Sequence, residues 1–423
     1  MATELTARKS APDAAPPKKF KITWPIVLLG VAGLLTLLSI VRLITGAGDI
    51  TSGGTVSAAL SLAVPIGLAG LGGLWSERAG VVNIGLEGML ILGTWFGAWG
   101  AIVTGNPWVG VAVGALGGLI GALLHAIATV TFGVDHIISG VAINIVALGI
   151  VQYLSKLVFS GMRGGGETQS PRLPSIERIS VPGIGEPLRQ LEANGWFLVS
   201  DLAGLLRGLT QNVSLFTIVA ILLIPLSFFV LWRTAFGLRL RSCGERPVAA
   251  ESLGVNVYTH KYIAVLASGV FAGLGGAFLS IVAAGIYREG QTGGRGFIGL
   301  AAMIFGNWRP GGLAAGSALF GYTDALQLRQ GGPSVHALLL VVALILAAVA
   351  VYQLVRQRRT RAAVITALVA IAVFAVFAVT DTVPEQFTSF TPHLTTLLVL
   401  ALASQRLRPP AADGVPYRKG QAK

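Results

Sequence analysis

A chain of 423 residues with 56 glycines, 53% hydrophobic residues and only 12% charged residues, at a mean hydropathy of +0.74, has too few charges to cover a water-soluble surface of its size. The formal net charge of +13 does not point to nucleic acid, because the basic residues sit in short clusters between long apolar runs. The single cysteine, Cys243, excludes an intrachain disulfide and a cysteine metal site. These bounds give an all-α polytopic membrane protein.

Residues 1–21 form a Pro/Ala/Lys-rich tail, read as poorly ordered and without a cleavable signal peptide. A transmembrane domain then fills residues 22–405. A spanning helix takes about 20 apolar residues, and runs of that kind cover Trp24–Ile44, Gly54–Trp75, Gly80–Thr104, Pro107–Val130, Ile137–Leu157, Asn212–Trp232 and Tyr262–Ile286. Gly296–Trp308 is short. Gly311–Leu328, Val335–Val355, Ala362–Val379 and Thr391–Ser404 follow, giving about 10–12 spans in all. Residues 406–423 make a second polar tail, also read as poorly ordered.

Placing the N-terminus in the cytoplasm puts about two thirds of the lysines and arginines on the inner side, so the positive-inside rule favours both termini there. Two connections are long. Residues 160–211 are Pro-rich with charges of both signs and read as an outer insert, with a surface helix near Glu186–Gly208. Residues 233–261 are the most charged inter-helix loop and lie inside.

A weak internal repeat pairs Ile84-Gly-Leu-Glu-Gly-Met89 with Ile298-Gly-Leu-Ala-Ala-Met303. Gly-x-Trp follows each (Gly93 to Trp95, Gly306 to Trp308), then a proline and a Gly-x3-Gly span. The two copies run in opposite directions, as in transporters whose halves are inverted repeats with Gly-interrupted helices at the pathway. The Gly-x3-Gly runs Gly110/Gly114/Gly118 and Gly269/Gly273 are packing devices that let helix backbones approach closely.

Within the inner loop, Pro247 suits a first helical turn and Gly254 a left-handed cap. Between them lie about two turns of helix, with Ala249, Ala250 and Leu253 on one side and Glu251 elsewhere. So short a helix must dock on something, either this chain's own inner face or a soluble partner.

That loop, Gly244-Glu-Arg-Pro-Val-Ala-Ala-Glu-Ser-Leu-Gly-Val-Asn-Val-Tyr258, resembles the coupling loop of permease subunits from ATP-binding-cassette importers of the branched-chain amino acid/ribose/nucleoside group. Trp75–Met89, Asp135–Gly140 through Asn144, Thr292–Pro310, Gly321–Arg329 and Gly414-Val-Pro-Tyr417 fit the same group, and its nucleoside permeases best. The resemblance implies a type II importer fold with inverted-topology repeats in the cell membrane. It also implies a cytoplasmic ATPase gripping Gly244, Glu245, Pro247, Ala249, Ala250, Glu251, Leu253 and Gly254, a second and related permease chain, an external substrate-binding lipoprotein, and a nucleoside or pentose as cargo. Residues 335–387 depart from the group's pattern as an extra helical hairpin.

Intramembrane polar residues are the candidates for the pathway or its gates: Asn83, Glu87, Asn144 and Asp324, with Phe297 at the start of a short helix. Glu87 either lines the pathway or pairs with Arg78 or caps a broken helix; Asp324 either gates or pairs with Arg329. Asn83 and Asn144 need hydrogen-bond partners, and His125 and His136 read as helix-interface residues. Gly293-Gly-Arg-Gly296 reads as a tight re-entrant turn. No phosphate-binding loop, metal spacing or nucleophile elbow occurs, so no enzyme activity and no cofactor is expected. An ion-coupled transporter using Glu87 and Asp324 is the rival reading, and a substrate-free membrane scaffold the second.

Overall fold

A computed structural model describes residues 24–388 and 407–420. Helices apolar on every side belong either in a protein core or against lipid, and both kinds occur here. α1 (Trp24–Thr45), α5 (His136–Val158), α8 (Leu215–Arg233) and α14 (Thr360–Val379) present Leu29, Ile138, Leu222 and Leu368 to the exterior. α2 (Gly53–Arg78), α3 (Leu86–Thr104), α4 (Pro107–Ala126, wound on to Thr131) and α11 (Val257–Phe278) form the interior. There α3, α4 and α11 cross at glycines: a Cβ on Gly118 would lie 2.1 Å from the Gly269 carbonyl oxygen, and one on Gly273 2.4 Å from that of Gly114. Only hydrogen fits at those crossings.

Among the described residues nine helices are long and apolar enough to cross a bilayer. Two of the expected spans differ. Gly296–Trp308 contains an 11-residue helix, α12 (Arg295–Phe305), which at 1.5 Å per residue reaches about 16 Å, half the bilayer core. Gly311–Leu328 and Val335–Val355 are not separate helices but halves of α13 (Pro310–Val355), 46 residues long. The halves remain distinct because Gly331 takes φ +22 and Pro333 follows it inside the helix. Such a break is what a chain of that length needs, since a straight helix would outrun the bilayer about twofold. The Thr391–Ser404 segment and the N-terminal tail lie outside the described residues.

The insert folds into two helices rather than one, α6 (Gly185–Ala193) and α7 (Val199–Thr210), because Gly195 turns the chain at φ +69. A two-residue strand pair, Arg178–Ile179 with Val213–Ser214, closes it. It is fastened to α1 by Asp201, 1% exposed, which accepts from Ser39 at 2.5 Å and pairs with Arg42 at 2.9 Å. At the opposite end of the bundle sit α9 (Ala235–Glu245) and α10 (Pro247–Ser252). The C-terminal residues 407–420, expected to be loose, are packed against them. A tail poor in apolar residues stays put here because Tyr417 is buried with Cys243, Ala250 and Val257.

Candidate functional site

Two irregular segments interrupt the bundle, and together they define its centre. The first, residues 79–85, joins α2 to α3, and its backbone polar groups are satisfied by the end of α2 and by side chains from other helices, as buried non-helical backbone requires. Lys261 Nζ donates to the Gly80 carbonyl at 3.3 Å and Ser76 Oγ to that of Val81 at 2.6 Å. The Val82 N–H donates to His136 Nδ1 at 3.3 Å, while its carbonyl lies 3.0 Å from His125 Nε2. A carbonyl only accepts, so that imidazole nitrogen carries the proton. Asn144 takes the end of the segment, donating to the Ile84 carbonyl at 3.1 Å and accepting from the Gly88 N–H at 2.7 Å. Asn83 is fully buried and donates to Ser268 Oγ at 2.6 Å.

The second segment, residues 285–294, runs into the bundle from the insert end and is held there by Ser170: its N–H donates to the Tyr287 carbonyl at 3.0 Å, and its Oγ accepts from the Tyr287 N–H at 2.9 Å. Gly293 and Gly294, at φ +53 and +77, then turn the chain into α12. This is the re-entrant turn expected of Gly293–Gly296.

Glu87 is where the two segments meet. It lies in the first turn of α3 and accepts from the Gly294 N–H at 3.0 Å and the Gly296 N–H at 2.6 Å, the free donors at the start of α12. Two helix N-termini thus converge on one carboxylate, with their dipoles favouring its charge. The approach is close enough that a Cβ on Gly296 would lie 2.6 Å from the Glu87 backbone. Of the two local partners the sequence offered, Arg78 and the end of a broken helix, the structure gives the helix; Arg78 is engaged elsewhere.

Asp324 pairs with Arg295 at 2.9 Å, not with Arg329, which faces Asp49 at 3.7 Å. Sequence proximity suggested the wrong partner because α13 runs along α2 and α12, placing Asp324 beside the start of the half-helix. Phe297, 46% exposed, stands on that same first turn. Asn83, Glu87 and Asn144 are therefore brought together around the first broken segment, and Asp324 and Phe297 around the second.

At the far end, Pro247 opens α10 and Gly254 follows it at φ +81. Its residues do not share one face as expected. Ala250 is 3% exposed and packs inward, whereas Leu253 is 85% exposed and Ala249 is also outside. The helix ends at Ser252, so Leu253 leaves the helical path and turns away. Gly244 is pressed against the end of α2: a Cβ there would lie 2.3 Å from the Arg78 carbonyl oxygen. Arg78 reaches Glu245 at 3.7 Å and donates from Nε and a terminal nitrogen to the Trp308 carbonyl at 3.0 and 2.7 Å. Trp308 Nε1 donates to Glu77 at 2.5 Å. Burial pushes the Cys243 thiol up to about 11, leaving it unreactive and apolar in behaviour.

The sequence assigned no site role to Arg295, Ser268, Glu77, Trp308 or Lys261. Only the aromatic Gly-x-Trp repeat and the Gly414–Tyr417 motif could have flagged this region. Among the described residues no group of three or more potential metal ligands occurs.

The family model described as the permease component of branched-chain amino acid transport systems matches residues 55–349. The chain is 37% identical over 280 residues to the guanosine ABC transporter permease protein NupQ of Bacillus subtilis, covering 64% of this chain and 81% of that one. It is 31% identical over 372 residues to the nucleoside ABC transporter permease protein NupC of Lactococcus lactis, covering 86% and 96%. The glucose ABC transporter permease protein TsgB13 of Haloferax volcanii is 28% identical over 252 residues, covering 58% and 61%. No solved structure matches.

Proposed function

Because this chain belongs to the permease-component family of branched-chain amino acid transport systems, we propose that it is the membrane subunit of an ATP-binding-cassette importer for nucleosides, purine nucleosides among them. The supporting observation is its likeness to a nucleoside permease matched over 96% of that protein's length. In this reading a separate cytoplasmic ATPase binds the α10 end, a related second permease completes the pathway, and an external lipoprotein delivers cargo at the insert end. Both termini lie inside, on the side of the basic loops.

The bundle supports alternating access between two inverted units. α3 and α12 each start within the bundle after a non-helical stretch, and their starts share Glu87. Broken helices meeting at an interface between repeats are where such transporters place their cargo. The two carboxylates a gradient-driven mechanism would use are already held, Glu87 by backbone N–H groups and Asp324 by Arg295.

The test is uptake by the reconstituted complex. Labelled guanosine should enter vesicles only with ATP, unlabelled nucleosides should compete, and glucose should not. Competition by glucose alone would transfer the chain to the sugar class, the reading that its likeness to TsgB13 supports. Uptake that follows a proton or sodium gradient without the ATPase would overturn the importer reading.

A further inference from the structure

The C-terminal residues 407–420 lie as a strap between three elements that no local sequence feature connects. On one side is the α9–α10 knuckle. The Ala412 N–H donates to the Gly244 carbonyl at 2.8 Å, the Ala411 N–H to Glu245 at 3.3 Å, and the Gly420 N–H to Glu251 at 3.3 Å. Tyr417, 9% exposed, fills the space beneath α10 among Cys243, Ala250 and Val257, with its ring 5.4 Å from that of Tyr258. On the second side is the broken segment: a Cβ on Gly80 would lie 3.0 Å from the Ala412 carbonyl oxygen, and one on Gly414 3.4 Å from Val82. Asp413 lies beside Glu77, the residue that also holds Trp308. On the third side the Arg408 N–H donates to Asn307 at 2.8 Å, just past the end of α12.

We propose that this strap is the transmission element of the permease, binding the knuckle, the residue 79–85 segment and the α12 end into one rigid body. Displacement of α10 then reaches both broken helices together. Without the strap the knuckle still meets them through α9, at Gly244, at Leu240 in one buried cluster with Ala79 and Trp308, and through the 3.7 Å Arg78–Glu245 pair, but α10 itself loses the Tyr417 ring beneath Ala250. A short helix attached so weakly would swing rather than push. Tyr417 and Asp413 are positioning residues: they act through the knuckle and touch no cargo.

The inference rests on the importer reading, and the experiment separates the two. In the reconstituted complex, the unaltered chain must first show ATP-dependent uptake; failure there removes the importer reading itself. Two variants are then compared, Tyr417→Ala and a chain ending at Pro410. Cys243, the only cysteine and fully buried, reports strap docking by its rate of maleimide labelling. Both variants should label about tenfold faster, as a locally opened site does. They should retain the ATPase and its hydrolysis but lose about tenfold in cargo moved per ATP, the size of a typical coupling energy. Tyr417→Phe, which keeps the ring, should couple normally. Unchanged uptake per ATP in the truncated chain overturns the proposal. Loss of the ATPase from that chain also overturns it, by making the strap part of the docking surface.

Discussion

The carboxylate of Glu87 shows how one residue can hold two helix starts together. Its partners are backbone N–H groups of another helix, and charge-assisted bonds of that kind contribute about 1.5–3 kcal/mol each. Glu87→Ala should therefore destabilise the detergent-solubilised chain by about 3 kcal/mol or more, while Glu87→Gln, which still accepts, should lose about half as much. Thermal unfolding of the two variants checks the order; equal stability of Ala and wild type would show that the α12 N-terminus needs no anion. Asp413 behaves differently. Burial pushes its carboxyl up to about 6, against the opposing pull of Glu77, Lys261, the Gly414 N–H and Arg78. A raised acid binds its proton more tightly in the docked strap than in a free tail, so docking weakens as pH rises from about 4 to about 6. A fluorophore on Val415→Cys, in a chain carrying Cys243→Ala, should report that loss, and Asp413→Asn should flatten it.

At the level of elements, the long apolar runs were readable because burial or lipid contact along a whole helix requires unbroken hydrophobicity. The structure adds polar caps at the starts: Ser52 caps α2, Asn106 with Pro107 opens α4, and Asp135 caps α5. The half-helix was visible as a short run after Gly293–Gly296. What the sequence could not supply was pairing across distance. Asp324 chose Arg295 over the nearer Arg329, and Ala411 found Glu245 at a separation of 166 residues. Periodicity reports which face of a helix is apolar and carries no information on its neighbour. The glycine crossings fall between these cases, since Gly-x3-Gly announces close packing but not against what. The contacts now make it specific. Gly273→Val should fail to assemble or lose well over 3 kcal/mol, because its Cβ meets backbone at 2.4 Å. Gly105→Ala has only open space around it. At its φ of +67 it should show about 1 kcal/mol of backbone strain. Yield of monodisperse protein distinguishes the two.

For the molecule as a whole, the question is which surface of the knuckle faces inward and which faces a partner. Ala250 and Leu253 are three residues apart yet serve opposite sides, one 3% exposed and the other 85%. Placing aspartate at either should abolish ATP-dependent uptake, but by routes that can be told apart. Ala250→Asp buries a carboxylate among Cys243, Val257 and Tyr417, so the strap should lift and Cys243 should become labelled. Leu253→Asp disturbs nothing inside the chain. Its strap should stay docked and Cys243 protected, while the ATPase no longer co-purifies, because an exposed apolar residue at a helix tip is the kind of anchor a soluble partner's groove takes. If Leu253→Asp keeps both ATPase and uptake, the partner meets the bundle elsewhere and α10 is an internal brace. If it loses uptake with the ATPase still bound, Leu253 serves the power stroke rather than attachment, and the docking energy must come from Glu245, Arg246 and Ala249 around it.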